Sequence, residues 1–264
     1  MANDWEYVFN ALTFGGDTAY GVVGVEGLTE SPNLREDLSV KVAEHGGFSY
    51  VDLYEMRRVT ISGDILGTSQ SDFETKAQTL RKTFYPQTTP QALVFKRPGL
   101  VQQRVYCKPS KFSLPMDTAY QLTYGTWNVQ LIAEDPRIYA DTMSSLTQAG
   151  ASASGVVNNA GDFPVYFEKV RLSGPYTNIT FRNQADTTQK IQIAATIASG
   201  TGNYIDVDFK RRTLTKNDGT NMYSSLTADS KWFAIQPGNT TVELVTVGGS
   251  GVTQFIAEWR SGWM

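Results

Sequence analysis

The chain has 264 residues, of which 41% are hydrophobic and 19% charged, a composition typical of folded globular domains and unlike disordered or collagen-like chains. Its 23 basic and 26 acidic residues give a net charge of -3, which argues against sequence-independent binding to nucleic acid, because such binding depends on an excess of basic charge. A single cysteine, Cys107, and a single histidine, His45, exclude an intrachain disulfide, a thiolate metal cluster and a histidine-rich zinc site. We therefore expect neither a metal nor a cofactor.

The amino-terminal residues MANDWEYVFN carry Asp4 and Glu6, where a secretory signal peptide has positive charge followed by an apolar run. No stretch of the chain approaches the roughly 18 consecutive apolar residues that a membrane-spanning helix needs. These features predict a soluble chain that is made in the cytoplasm and does not insert into a membrane.

The first strand pattern is RRVTISGDIL, residues 57–66, in which Val59, Ile61 and Ile65 alternate with polar neighbours. This two-residue period is typical of a strand with one buried face. The stretch YQLTYGTWNVQLIA, residues 120–133, is longer and rich in aromatic residues. Both stretches predict strands, so the first half of the chain is expected to be mainly β.

A helix is predicted over residues 71–84, SDFETKAQTLRKTF. Ser71 and Glu74 have the spacing of a capping box, in which the two side chains satisfy free backbone N–H groups at a helix start. Apolar side chains recur on one helical face, at Phe73, Ala77, Leu80 and Phe84. Pro86 ends the pattern, because the residue before a proline disfavours helical geometry.

The strongest boundary pattern is MSSLTQAGASASGVVNNAG, residues 143–161, which contains no charge and has the composition of a flexible linker. It divides the charges unevenly: residues 1–140 hold 13 basic and 16 acidic groups, whereas residues 141–264 hold 10 of each. We therefore predict an N-terminal domain at residues 1–142 and a C-terminal domain at residues 162–264, joined by this linker.

In the second half, strand patterns recur at short spacing. The segment YIDVDFK, residues 204–210, places Ile205, Val207 and Phe209 on one face. Asn217-Asp218-Gly219 predicts a hairpin turn, because glycine tolerates positive φ. Several short strands separated by turns are typical of a β-sandwich. The predicted fold class is all-β: an N-terminal β-sandwich with one packed α-helix, followed by a C-terminal β-sandwich.

The chain shows no pattern of catalytic residues. His45 lies beside two glycines and is interpreted as a turn residue, since no nucleophile motif accompanies it. Cys107 alternates with Val105 like a core position, which predicts a buried, unreactive thiol. Asp206 and Asp208 share the solvent face of a strand and lack the spacing of a calcium-binding loop. We therefore predict no enzymatic activity and no metal site.

Candidate contact residues come from basic groups and from the carboxyl terminus. Short basic groups such as Lys210-Arg211-Arg212 are interpreted as a solvated face or a subunit contact. Trp127 and Trp232 fall within strand patterns and are predicted to lie in the core. Chain ends rarely carry apolar bulk such as EWRSGWM unless they are tied down. The candidate interface residues are Trp259, Arg260, Trp263, Met264, Arg57 and Arg58.

Two ordered sets of segments resemble those of siphophage distal tail proteins. The first set is RRVTISGDILG (57–67), a short helix, LVFKRPG (93–99), RVYCKPSKF (104–112) and WNVQLIAEDPRIYAD (127–141). The second set is FPVYFEKVRLSGPYTNITFRN (163–183), YIDVDFKRRTLTKNDGTN (204–221) and SKWFAIQPGNTTVELV (230–245). The second set is similar to the galectin-like β-sandwich of these proteins. The order and spacing of the segments carry the resemblance over nearly the whole chain.

The resemblance implies a structural role in the virion, at the tip of a long non-contractile phage tail. The N-terminal domains would form a homohexameric ring between the tail tube protein and the hub or tail-associated protein. Genome DNA would pass through the ring without specific binding, and the acidic N-terminal half fits such a channel. The tape measure protein is a further expected partner. The galectin-like domains would project outward and hold receptor-binding proteins.

Two alternative functions stay open at this point. The second domain could be a carbohydrate-binding module for host cell-wall glycan, acting through exposed aromatic rings. It contains no histidine, however, and Glu258-Trp259-Arg260 does not match the sugar-binding set of galectins, so no carbohydrate site is assigned. The other alternative is a glycan hydrolase that uses a carboxylate pair, for which Glu134 and Asp135 are candidates.

Overall fold

The computed structural model of the chain describes residues 3–35, 38–40, 47–49, 53–200, 202–248 and 253–264. The chain divides into two compact units, Met1–Asp141 and Thr142–Trp263. The strand content is high in both units, and the predicted all-β class is confirmed.

The first unit is built from short and long strands with one substantial helix. In chain order its elements are β1 (Glu6–Phe9), β2 (Leu12–Gly15), β3 (Tyr20–Glu26), β4 (Leu34–Arg35), β5 (Leu38–Val40), β6 (Gly47–Ser49), β7 (Leu53–Tyr54), β8 (Arg57–Leu66), α1 (Gln70–Thr83), β9 (Gln91–Phe95), β10 (Gln103–Ser113), α2 (Thr118–Gln121), β11 (Tyr124–Ala133) and β12 (Ile138–Ala140).

The main sheet of the first unit has the strand order β2-β1-β9-β10-β11-β8-β3, and neighbouring strands are antiparallel. β10 pairs with β9 through its first half and with β11 through its second half, so it belongs to both parts of the sheet. β12 pairs with the start of β10. β4 pairs with β7, and β5 pairs with β6.

The core of the first unit is aromatic. The indole ring of Trp127 in β11 packs against the rings of Phe14 and Phe84, with ring centroids 5.9 Å apart in both cases. Its Nε1–H donates a hydrogen bond to the carbonyl oxygen of Asp64 at 3.2 Å. Trp127 is 2% exposed, which confirms its predicted core position. Trp232, in the second unit, is half-buried and packs edge-on against Phe209.

Helix α1 begins at Gln70, one residue earlier than the pattern predicts. Ser69 is the N-cap residue, and its hydroxyl accepts a hydrogen bond from the backbone N–H of Asp72 at 3.2 Å. The Asp72 carboxylate accepts one in return from the backbone N–H of Thr68 at 2.8 Å. The predicted capping box of Ser71 and Glu74 is therefore wrong, because Ser69 has the same spacing to an acidic residue and lies outside the first turn. The predicted buried helix face is confirmed.

The second unit consists of strands and one 3-10 turn (Tyr223–Ser225). Its strands are β13 (Ser144–Ala149), β14 (Ser154–Asn159), β15 (Lys169–Ser173), β16 (Asn178–Asn183), β17 (Lys190–Ile193), β18 (Tyr204–Asp208), β19 (Thr213–Lys216), β20 (Gly238–Val247), β21 (Gln254–Trp259) and β22 (Gly262–Trp263).

Strands β13 to β21 form a β-sandwich, as predicted. One sheet has the order β13-β21-β15-β18-β19 and the other has the order β14-β20-β16-β17. Between them lies a cluster of buried phenylalanine rings, at Phe167, Phe181, Phe209, Phe233 and Phe255. Phe181 is central to the cluster, with ring centroids 5.4 Å from Phe255 and 5.5 Å from Phe167. The predicted turn before Gly219 is also confirmed, because Gly219 has a φ of +85° and its N–H donates to the carbonyl of Lys216.

The predicted linker at residues 143–161 needs correction, because this segment forms β13 and β14. β13 pairs with β21 along its whole length, and β14 pairs with β20. Both strands lie at sheet edges, and β13 alternates half-buried and exposed side chains. Small and polar side chains are sufficient at an edge, where backbone pairing supplies much of the stabilisation.

Candidate interaction surfaces

The nucleophile candidates of the sequence do not form a reactive site. Cys107 is fully buried in β10, and burial raises the pKa of its thiol to about 12. A thiol with this pKa stays protonated at neutral pH, whereas nucleophilic cysteines need the thiolate. The predicted burial of the thiol is confirmed. His45 lies outside the described residues.

The candidate carboxylates are bound to basic side chains. Glu134 accepts a hydrogen bond from Lys108 Nζ at 2.7 Å. Asp206 accepts two from the guanidinium of Arg171, at 2.7 and 2.8 Å. In the described part of the chain, no three His, Cys, Asp or Glu side chains come together in a way that could hold a metal ion. The carboxylates therefore act as partners in ion pairs.

Half of the candidate interface residues lie in the interior. Three side chains are buried, with exposed fractions of 1%, 5% and 8%, at Arg57, Trp259 and Arg260. A buried side chain cannot reach another subunit without rearrangement, so the prediction of surface contacts is corrected for these three. The others stay predictions: Arg58 is exposed, and Trp263 and Met264 are half-buried.

Arg57 instead holds backbone segments of the first unit together. Its Nε–H donates to the carbonyl oxygen of Pro136 at 2.6 Å, and its Nη1–H groups donate to the carbonyl oxygens of Gly27 and Glu30 at 2.6 and 2.7 Å. Burial lowers the pKa of the guanidinium, and the charge of Glu30 opposes this effect. The side chain therefore fixes the loop after β3 and the segment after β11 to the start of β8.

The outer face of the second unit consists of paired charges. The guanidinium of Arg171 lies 3.7 Å from the ring centroid of Tyr204 and also binds Asp206. On the same strand, Lys169 forms an ion pair with Glu258 of the neighbouring β21 at 3.0 Å. Within the described residues of this unit no tryptophan is exposed. The face therefore lacks the indole platform on which a glycan would stack, which does not favour the carbohydrate-binding alternative.

A groove lies beside the second half of β10 in the first unit. Its volume is about 290 Å³, and it is lined by Arg81, Phe84, Tyr85, Pro86, Pro109, Ser110, Lys111 and Phe112. We call it the β10 groove. The pairing of β10 with β11 shifts register between Pro109 and Lys111, so Ser110 is an extra residue that bulges at this point. The Tyr85 ring is 71% exposed at the groove.

At the other side of the same sheet, β3 forms an edge. β3 pairs with β8, with a register shift between Val22 and Gly24 that leaves Val23 as an extra residue, 76% exposed. A second pocket, of about 330 Å³, lies beside this edge, with Trp5 and Arg97 among its lining residues. Sequence reasoning did not find the β10 groove or the β3 edge, because both depend on which strands become neighbours.

No helix in the described part of the chain combines the length and apolar character that crossing a membrane requires. This finding agrees with the absence of a long apolar run in the sequence.

Comparison with protein-family models matches residues 160–263 to the siphovirus-type tail component, C-terminal domain. No curated protein matches the chain. Among solved structures, the chain is similar to the Dit protein of phage SPP1, described as a paradigm of the hub adsorption apparatus in phages that infect Gram-positive bacteria. The TM-score is 0.70 at 12% sequence identity, over 97% of this chain and 98% of that one.

The chain is also similar to a component of the activated baseplate of phage P2. With calcium the TM-score is 0.52, at 8% identity over 96% of this chain and 97% of that one. With strontium the TM-score is 0.50, at the same identity and coverage. At such low identities these similarities concern the fold. Together with the family model, they confirm the resemblance to siphophage distal tail proteins: residues 160–263 match the model of the siphovirus-type tail component, C-terminal domain, and the chain as a whole has the fold of the SPP1 Dit protein.

Proposed function

We propose that this chain is a non-enzymatic structural protein at the tip of a long non-contractile phage tail. The observation that carries the proposal is the extent of the similarity to the SPP1 Dit protein, which covers 97% of this chain. The family model of the second unit supports the same assignment from the sequence alone. The buried thiol and the ion-paired carboxylates described above agree with a protein that acts through its surfaces.

In the tail tip, six copies form a ring that surrounds the DNA channel. The first unit builds the ring, and the second unit projects outward. The surface of the first unit supports this division, because large apolar side chains are exposed there, including Trp5, Val23 and Tyr85. Exposed apolar groups of this kind are typical of surfaces that become buried in an assembly.

The ring joins the tail tube protein on one side to the hub or tail-associated protein on the other. The tape measure protein contacts it from within, and receptor-binding proteins attach to the second unit. Genome DNA passes through without specific binding. The net charge of -3 carried by residues 1–140 supports this last point, because a negative surface does not hold phosphates.

Imaging of purified virions and of the isolated protein tests the proposal. Gold-labelled antibodies against the chain are expected to mark the tip of the tail, with six copies per particle by quantitative mass spectrometry. In solution, six copies of the 29.1 kDa chain would scatter light as a species of about 175 kDa. Absence of the chain from virions, or labelling along the tail or on the capsid, would contradict the proposal.

A further inference from the structure

The first unit carries complementary features at two edges of one sheet. We propose that the β3 edge of one copy docks against the β10 groove of the next copy, with Glu26 facing Lys111. The proposal deepens the ring assembly proposed above and rests on it, because it names the surfaces through which neighbouring copies of this chain join.

The two edges belong to the same four strands, in the order β10-β11-β8-β3. The pairing of β10 with β9 ends at Cys107, so Lys108–Ser113 pair with β11 on one side. In the described part of the chain, no strand pairs with their other side or with the outer side of β3. Because neighbouring strands are antiparallel, β3 and β10 run in opposite directions. Copies placed side by side therefore bring these two edges together in the antiparallel sense.

One row of side chains crosses these four strands from the β10 edge to the β3 edge. Lys111 pairs with Gln130, Gln130 pairs with Thr60, and Thr60 pairs with Glu26. Directly paired residues of antiparallel strands point to the same face of a sheet. Lys111, Gln130 and Glu26 are exposed, so this is the solvent face. A side-by-side contact continues the row from Glu26 of one copy to Lys111 of the next.

The charges at the two ends of the row are opposite and lack ion-pair partners. Among the described residues, Lys111 and Lys82 are not paired with a carboxylate, and Arg81 donates to the hydroxyl of Tyr120 instead. At the other edge, Asp17 and Glu26 have no basic partner within the same set of residues. Each edge thus supplies the charge that the other lacks, which favours contact between them and sets its register.

Apolar side chains accompany the charges at both edges. The exposed ring of Tyr85 and the half-buried ring of Phe112 line the β10 groove. Val23 protrudes from the β3 edge on the same strand as Glu26. An aliphatic side chain placed against exposed aromatic rings buries apolar surface on both partners, which stabilises the contact more than a surface ion pair alone.

A second copy of the chain fits the groove better than DNA does. Two basic side chains, Arg81 and Lys111, line the groove, whereas a phosphate backbone requires an extended basic stripe. The contact joins two different surfaces of the same protein, so each copy keeps one free edge of each kind. Repetition by rotation then extends the contact from copy to copy until it closes into a ring.

Charge reversal tests the contact. The variants are Lys111→Glu, Glu26→Lys and the double variant, with Lys231→Glu as the control, because Lys231 is an exposed lysine in the second unit. Each full-length protein is examined by sedimentation velocity, and each is supplied to a phage that lacks the wild-type gene. We expect each single variant to reduce the ring fraction or the phage titre at least tenfold. The double variant should restore both to within a few-fold of wild type, and Lys231→Glu should have no effect.

The outcomes separate this contact from the proposed function. If wild-type protein restores the phage and Lys111→Glu does so equally well, the contact is wrong and the tail-tip role stands. If the phage assembles functional tails without the protein, the proposed function is wrong. A double variant no better than either single variant overturns the contact. The contact is also wrong if the Lys111→Glu protein assembles like wild type but loses affinity for a short DNA duplex.

A cysteine pair gives a readout that does not depend on charge. The Glu26→Cys, Lys111→Cys protein should form covalent chains of copies under mild oxidation, both in solution and within tails. Each single-cysteine protein is the matched control and should stop at a dimer, and the native Cys107 is buried. Absence of cross-linked species beyond the dimer from assembled tails would overturn the contact. Circular dichroism of every variant identifies any that fails to fold.

Discussion

In the second unit, ion pairs with carboxylates hold seven of the ten basic side chains. Of seventeen large apolar side chains that are exposed among the described residues, thirteen belong to the first unit and four to the second. The basic side chains of the second unit are therefore largely paired within the unit, whereas the first unit exposes more large apolar side chains. This difference supports the proposal that the first unit makes the contacts between copies.

The largest expected effect comes from a substitution in the core of the second unit. Phe181→Ala removes the central ring of the phenylalanine cluster and should cost about 3–5 kcal/mol of unfolding free energy, the range for large aromatic truncations in a core. Hydrogen exchange in β16 and β20, followed by mass spectrometry, measures the loss. Thr180→Ala, on the opposite face of β16, is the control and should change the unfolding free energy by less than about 0.5 kcal/mol. Equal effects of the two changes would contradict the packing described here.

A smaller effect is expected at the buried cation of the first unit. Arg57→Met leaves the carbonyl oxygens of Gly27, Glu30 and Pro136 without their donor, which should cost about 2–4 kcal/mol, since unsatisfied buried polar groups are destabilising. The labelling rate of Cys107 by a thiol reagent measures the opening of this unit, because the buried thiol reacts only when exposed. Arg58→Met, at the exposed neighbour, should leave the rate within about twofold of wild type. An unchanged rate in Arg57→Met would show that the three hydrogen bonds contribute nothing to stability.

The smallest effect concerns the turn at Asp218 in the second unit. Hydrogen bonds from the Thr220 hydroxyl and backbone N–H, together with Lys216, lower the pKa of this exposed carboxyl to about 2. Its usual value is about 3.9, so the carboxylate stabilises the folded state above about pH 4, and this contribution is lost as the pH falls through about 2. Carbon-13 NMR should place the titration midpoint near 2.

Asp218→Asn should remove this small acid-dependent loss of stability between about pH 4 and pH 2. Asp72→Asn is the corresponding substitution in the first unit. The pKa of the Asp72 carboxyl is also lowered, by a hydrogen bond from the Thr68 backbone N–H and by the ion pair with Lys76. An Asp218 midpoint near 4 would mean that the turn does not hold the carboxylate as described.

Much of the strand content could be predicted from local patterns. The same patterns also indicate that Arg57 and Trp259 are buried, but the sequence analysis placed both at the surface. Arg57 is in phase with the buried Val59 and Ile61 along β8, and Trp259 is in phase with the buried Ala257 along β21. The two-residue period places both on inner faces, but the polar or terminal character of these residues suggested the surface.

The pairing of distant segments could not be predicted in the same way. Residues 143–161 carry little apolar area, and their strand character depends on the neighbouring edges of β20 and β21. The row from Lys111 to Glu26 likewise exists only once four strands, which span about 100 positions of the sequence, are in register. Composition and local period contain no information about such neighbours, whereas tertiary pairing determines them.

The three hydrogen bonds that Arg57 donates also affect how the sequence of this protein can vary. Its acceptors are backbone carbonyl oxygens, which every amino acid supplies, so the identities of Glu30 and Pro136 can drift while the loops keep their places. Gly27 is more restricted, because its φ is +83° and a Cβ atom there would lie 1.9 Å from the carbonyl oxygen of Arg58. The other residues of these loops can therefore change as long as Arg57 and Gly27 are kept. Neighbouring surface residues can then adapt to new partners while the fold stays the same.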